Sequence, residues 1–134
     1  MTQHPTVSST QRIGKGARIA GWIVTGLVTL FLAFDGVTHL LNPAVVQESM
    51  KQLGYPEGLA LPIGIVELVI LALTLIPRTA ILGAILMTGY LGGAVTSQLR
   101  VEAPLFSTVL FAVYVGIGLW LGLWLRDVRV RRLL

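Results

Sequence analysis

Asp35, His39 and Glu67 are the residues of this sequence best equipped to hold or move a proton in an apolar setting. Asp35 and His39 stand four residues apart within a hydrophobic run, so on a helix they share one face and their side chains can meet. Thr38 lies on nearly the same face. Glu67, between Val66 and Leu68, sits near the middle of a second hydrophobic run. Ionisable side chains are expensive in hydrocarbon and turn toward a bundle interior or a wet cavity, which makes them functional candidates. At about 1.5 Å per residue, Asp35 lies about 9 Å and Glu67 about 12 Å from the outer ends of their helices, with His39 shallower than Asp35 by about 6 Å. Tyr90 on a third run falls near the depth of Glu67, Gln98 and Thr96 lie closer to the outer surface, and Tyr114 on a fourth run is near the midplane.

Asp35, His39, Glu67, Tyr90 and Gln98 are therefore the expected ligand-binding or proton-handling set. Two carboxylates and one imidazole in low dielectric cannot all carry full charge cheaply, so one proton is expected to be shared or retained. Such a group exchanges a proton with a bound molecule or with water. The alternative is a static hydrogen-bonded cluster that fixes helix register. No metal site is expected. The chain has no cysteine, which excludes a disulfide framework, a thiol redox centre, a cysteine zinc site and a thiolate-held iron–sulfur cluster. His4 lies in the N-terminal stretch and His39 stands alone, so haem held by two histidines would require His4 to fold back into the membrane.

The elements that must position these residues are hydrophobic helices. Of 134 residues, 54% are hydrophobic and 12% charged, with a mean hydropathy of +0.82. A soluble domain of this size cannot hide so much apolar surface. Four runs approach the roughly 20 residues that cross a hydrocarbon core of about 30 Å: 18–41, 59–76, 79–99 and 103–125. Asn42-Pro43 stops the first and Pro77-Arg78 joins the second to the third in a tight hairpin. Val45, Val46, Ser49, Met50 and Leu53 recur at helical spacing opposite Gln47, Glu48, Lys51 and Gln52, and Gly54 caps the segment. The expected fold is all-α: a four-transmembrane-helix bundle with a short interfacial helix between the first and second spans. Residues 1–17 read as a cytoplasmic tail and 127–134 as a basic cytoplasmic tail.

Orientation follows from the basic residues. Arg12, Lys15, Arg18, Arg78, Arg126, Arg129, Arg131 and Arg132 fall on one side, and Lys51 and Arg100 on the other. The larger set belongs to the cytoplasm, where Trp22, Trp120 and Trp124 also cluster at headgroup depth. Both termini are then cytoplasmic. The basic residues flank hydrophobic segments and form no soluble patch, so nucleic acid is not an expected partner. Gly89-x-x-x-Gly93 and Gly118-x-x-x-Gly122 permit close helix approach, read first as packing within the bundle and second as a dimer contact. The C-terminal arginines read first as topology signals and second as an anionic-lipid contact.

In order along the chain, Gly36-Val37-Thr38-His39, Leu53-Gly54-Tyr55-Pro56, Gly64-Ile65-Val66-Glu67, Pro77-Arg78-Thr79 and Gly92-Gly93-Ala94 resemble the DoxX-like family of small bacterial four-helix membrane proteins. The resemblance covers 18–126. It departs at His39, where many relatives carry Lys, and at Gln98, where they carry His, which makes any ligand site here less basic. Some relatives are associated with thiosulfate–quinone oxidoreduction or membrane oxidoreductase complexes. The resemblance thus implies a bacterial inner-membrane protein that serves as a quinone-interacting accessory subunit, with a lipophilic quinone as its non-covalent ligand and a membrane or peripheral oxidoreductase as partner. The alternatives are a non-catalytic assembly subunit, or a proton-coupled small-solute carrier that would need a homo-oligomer, because four helices are few for alternating access.

Overall fold

The structure, a computed structural model, describes residues 12–134. The expected N-terminal tail falls outside the described residues up to position 11, as does His4. The described chain is all-helical. Four long helices form the body: α1 (Lys15–Leu41), α3 (Ala60–Leu75), α4 (Ala80–Arg100) and α5 (Phe111–Arg126), the last preceded by a π-helical turn over Leu105–Val109. Two short ones, α2 (Ala44–Gln52) and α6 (Val128–Leu133), lie between α1 and α3 and at the C-terminus. The helix α1 packs on α3 and α5, and α4 closes the ring against the same two neighbours.

Three helical stretches are long and apolar enough to cross a membrane: Lys15–Leu41, Ala80–Arg100 and Leu105–Arg126. Ala60–Leu75 is equally apolar but only 16 residues long, about 24 Å at the helical rise. Large apolar side chains face outward on all four, including Leu30, Phe34, Val69, Ile85 and Ile117. Exposed aliphatic and aromatic surface on every side is what lipid, and not water, accommodates.

The turns have local causes. Asn42 adopts a left-handed conformation (φ 48°) with its N–H on the Thr38 carbonyl at 2.9 Å, and Pro43 has no N–H with which to continue α1. Gly54 is also left-handed (φ 79°), and a side chain there would collide with the Arg100 guanidinium, which donates to the Leu53 carbonyl. Tyr55 hydrogen-bonds Ser97 through their hydroxyls. The α2 segment is thus tied to the end of α4.

Glycines set the helix spacings. A Cβ on Gly83 would lie 2.5 Å from the Thr74 backbone nitrogen, so the α3–α4 hairpin closes backbone against backbone. Gly122 meets Thr25 and Gly21 of α1, and Gly118 meets Val28, so the second glycine pair packs inside the bundle as expected. The first pair does not. Gly89 and Gly93 face open space with nothing within 4 Å, because that side of α4 turns away from its neighbours. A spacing of four marks a common face but carries no information about what stands opposite it.

The C-terminal segment folds back as α6 and buries Val130 completely. Asp127 caps it by accepting from the Arg129 N–H at 2.9 Å, while the Arg129 guanidinium bridges Asp127 Oδ2 (2.7 Å) and the Pro77 carbonyl (2.6 Å). The hydrogen bond from Arg129 holds the Asp127 carboxyl below the usual carboxylate range. Arg126 lies over the Trp22 ring at 4.1 Å and donates to Thr25, and Arg131 lies over Trp124 at 4.5 Å. Guanidinium groups stacked on indoles shield apolar stems while the charge reaches the headgroups.

Candidate functional site

The site forms where α1, α3 and α4 meet. Gly64 on α3 makes it compact: a Cβ there would stand 2.8 Å from the Gly36 carbonyl oxygen and 2.8 Å from His39 Cβ. Only a glycine lets α3 press this closely on the face of α1 that carries Asp35 and His39. One turn further along α3, Glu67 is fully buried. The tight α3–α4 hairpin then brings Tyr90 to it, with the phenolic O–H donating to Glu67 Oε2 at 2.9 Å.

Opposite, the Asp35 backbone carbonyl accepts from Thr38 Oγ1 at 2.7 Å and from His39 Nδ1 at 2.7 Å. A carbonyl can only accept, so Nδ1 carries the proton, and Nε2 of a neutral ring keeps its lone pair. His39 Nδ1 also lies 3.6 Å from Asp35 Oδ2. One donor atom each from Asp35, His39 and Glu67 falls within 4.8 Å of the other two. The remaining oxygen of Glu67, Oε1, is buried without a hydrogen-bond partner. An orphaned carboxyl oxygen at such depth costs about 1–3 kcal/mol or more, and it is ready for something that brings a donor or a positive charge.

The cluster is closed behind and open to one side. The Asp35 side chain keeps 39% of its exposure and that of His39 18%, whereas Glu67 keeps none. Within one turn of Asp35 on α1, Phe31, Phe34 and Val37 are exposed and apolar. Two recesses elsewhere do not include the cluster. An apolar groove of about 550 Å³ runs between α4 and α5 past Gly92, Gly116 and Trp120, and a polar recess of about 680 Å³ lies beneath α2 between Asn42, Lys51 and Tyr55.

Four of the five expected residues, Asp35, His39, Glu67 and Tyr90, come together. Gln98 does not join them: no hydrogen bond links its side chain to the cluster. Tyr114 donates to the Phe106 carbonyl at the π-helical turn and takes no part either. Sequence reasoning missed the bracing of the α2 end of the bundle by Tyr55–Ser97 and Arg100–Leu53. The Gly54 turn was the available signal, but which part of α4 the turn would touch was not readable from spacing.

The profile of the DoxX-like family matches residues 23–122, a stretch that contains the whole cluster. The chain belongs to the DoxX-like family. No curated protein and no solved structure gives a match. Family membership and the apolar helices together make this a multi-pass membrane protein.

Proposed function

We propose that this DoxX-like protein crosses the bacterial inner membrane four times, with both termini cytoplasmic, and that its acidic cluster receives the head group of a lipophilic quinone on behalf of an oxidoreductase partner. The helix α3 is the fourth span, short but apolar, and local thinning of the bilayer accommodates its length. The helix α2 then lies in the outer interface. The observation that carries the functional reading is the unpartnered, fully buried Oε1 of Glu67 behind a laterally open, apolar-rimmed Asp35.

A quinone is mostly apolar, reaches such a site sideways through lipid, and presents two oxygens that need hydrogen-bonding and proton-exchanging partners. Its reduction to the quinol takes up two electrons and two protons, and oxidation releases them. Electrons come from the partner oxidoreductase. The cluster handles the protons: a quinol hydroxyl donates to a carboxylate oxygen of Glu67 or Asp35, and a quinone oxygen accepts from the protonated carboxyl. Tyr90 holds Glu67 in place, and His39 sits at the opening toward the outer surface.

A short-tailed quinone titrated into the protein in lipid nanodiscs tests this. Binding should weaken about tenfold or more in Glu67→Gln, the loss of a hydrogen bond to an ionisable buried group, and remain unchanged in Gln98→Ala. Equal affinity in wild type and Glu67→Gln, with partner-dependent turnover intact, would remove Glu67 from the function. A second reading, a non-catalytic assembly subunit, is favoured by the open face of Gly89, Gly92 and Gly93 on α4. Small residues facing outward in a membrane helix let a partner helix approach. It requires that Gly93→Leu abolish recovery of a partner that Glu67→Gln still recovers.

A further inference from the structure

We infer that Asp35, His39 and Glu67 form a binding site for a divalent transition-metal ion of the zinc class. The inference stands on the geometry of the cluster and does not rest on the quinone reading.

The three side chains come from two helices, and one donor atom of each lies within 4.8 Å of the others. Metal–ligand distances of about 2.0–2.2 Å at tetrahedral angles put ligand atoms about 3.3–3.6 Å apart, so a closing movement of about an ångström by these side chains completes the site. The unpartnered Glu67 Oε1 is a second and independent indication. In this fully buried side chain one oxygen is committed to Tyr90, and the other has no partner beyond the Asp35 carboxyl, which can bond it only by sharing a proton.

The supporting shell has the arrangement that metal sites use. His39 gives its Nδ1 proton to the Asp35 carbonyl, which fixes the ring and leaves Nε2 as the free lone pair, and Tyr90 orients the Glu67 carboxylate from behind. Charge agrees as well: a divalent ion balances two carboxylates with no other cation required. One imidazole and two carboxylates suit zinc, cobalt, manganese or iron(II) better than calcium or magnesium, which call for more oxygen ligands or retained water. The partial exposure of Asp35 and His39 leaves the ion a path in and at least one coordination position toward the opening.

Tag-free, chelator-stripped protein in nanodiscs, titrated with cobalt(II) and followed by visible absorption and by metal analysis after desalting, tests the site. One equivalent per chain is expected, with a d–d band that zinc(II) abolishes by displacement. Asp35→Asn and His39→Ala should each weaken binding at least tenfold, and Tyr90→Phe, acting on a ligand's support, by roughly 10–100-fold. His4→Ala and Gln98→Ala should leave binding unchanged. Absence of the band, or binding that survives Asp35→Asn and His39→Ala alike, would overturn the assignment. Quinone content measured on the same wild-type samples keeps the two readings apart: cobalt(II) bound with no quinone removes the quinone reading alone, and quinone present with no d–d band removes the metal site alone.

Discussion

Replacing Gly64 by alanine should loosen the helix contact on which the whole site depends. The added Cβ would stand 2.8 Å from the Gly36 carbonyl oxygen, 2.8 Å from His39 Cβ and 3.2 Å from the Leu40 backbone nitrogen. The two closest contacts are about 0.6 Å short of the 3.4 Å at which ordinary contact begins, and backbone atoms cannot rotate out of the way. Overpacking of this kind costs about 1–3 kcal/mol, partly offset by the better helix propensity of alanine, up to ~1 kcal/mol. A net loss of ~1–2 kcal/mol corresponds to a roughly 5- to 30-fold smaller folding constant. Gly92→Ala is the matched control, because nothing lies within 4 Å of that position, and it should be neutral or slightly stabilising. Reversible unfolding in mixed micelles, followed by tryptophan fluorescence and circular dichroism, gives both values. Gly64→Ala as stable as wild type, or Gly92→Ala as damaging as Gly64→Ala, would refute the close approach of α1 and α3.

Further expectations follow from the same contacts. Tyr90→Phe removes the O–H on Glu67 Oε2 and leaves the carboxyl with no partner but Asp35, so the same unfolding assay should show a loss of about 1–3 kcal/mol; no change would mean that Glu67 finds another donor. Because Asp127 is held below its ordinary pKa by Arg129, its contribution to docking α6 is fully present above the unfolded carboxylate range and is lost as pH falls through the depressed value. Trp124 emission, with Trp22 and Trp120 replaced by phenylalanine, should therefore stay constant through neutral pH and change only in acid, a change that Asp127→Asn abolishes. Since the chain has no cysteine, single cysteines can map its crossings. Gln52→Cys should react with an impermeant reagent only from outside, Arg78→Cys and Arg132→Cys only from the cytoplasm; Gln52→Cys and Arg78→Cys on the same side would mean that α3 does not cross.

The parts of the fold that were legible from sequence are those with a local cause. The stop at Asn42-Pro43, the Gly54 turn and the Pro77-Arg78 hairpin each follow from the conformational limits of one or two residues, and helix limits agree with the expected spans within about three positions once the π-helical turn before α5 is counted with it. The pairing of Asp35 with His39 was likewise local, four residues on one helix. Glu67 with Tyr90 was readable only as a common depth. What joins them is the 2.5 Å clearance at Gly83 that draws α4 onto α3, a contact between elements. Gln98 shows the limit of grouping polar residues by the half of the bundle they share, since it lies two turns beyond Tyr90 on α4 and is not bonded to the cluster. The spacing of Gly89 and Gly93, read first as packing within the bundle, did not show that this face of α4 is open, and the second reading, a contact with another helix, is the one left. The return of 127–134 as a helix over Val130 was not visible in a segment read as basic tail, because its anchor is the Pro77 carbonyl, 52 residues away from Arg129.

The most direct test of the central claim is mass spectrometry of the lipophilic molecules that leave native membranes with the protein in mild detergent, comparing wild type with Glu67→Gln. A near-stoichiometric quinone with wild type, depleted in the variant while folding and partner recovery persist, is the expected result. Wild-type protein that carries its partner and no quinone, with no difference in Glu67→Gln, would contradict it and leave the buried carboxyl with a structural or metal-binding role alone.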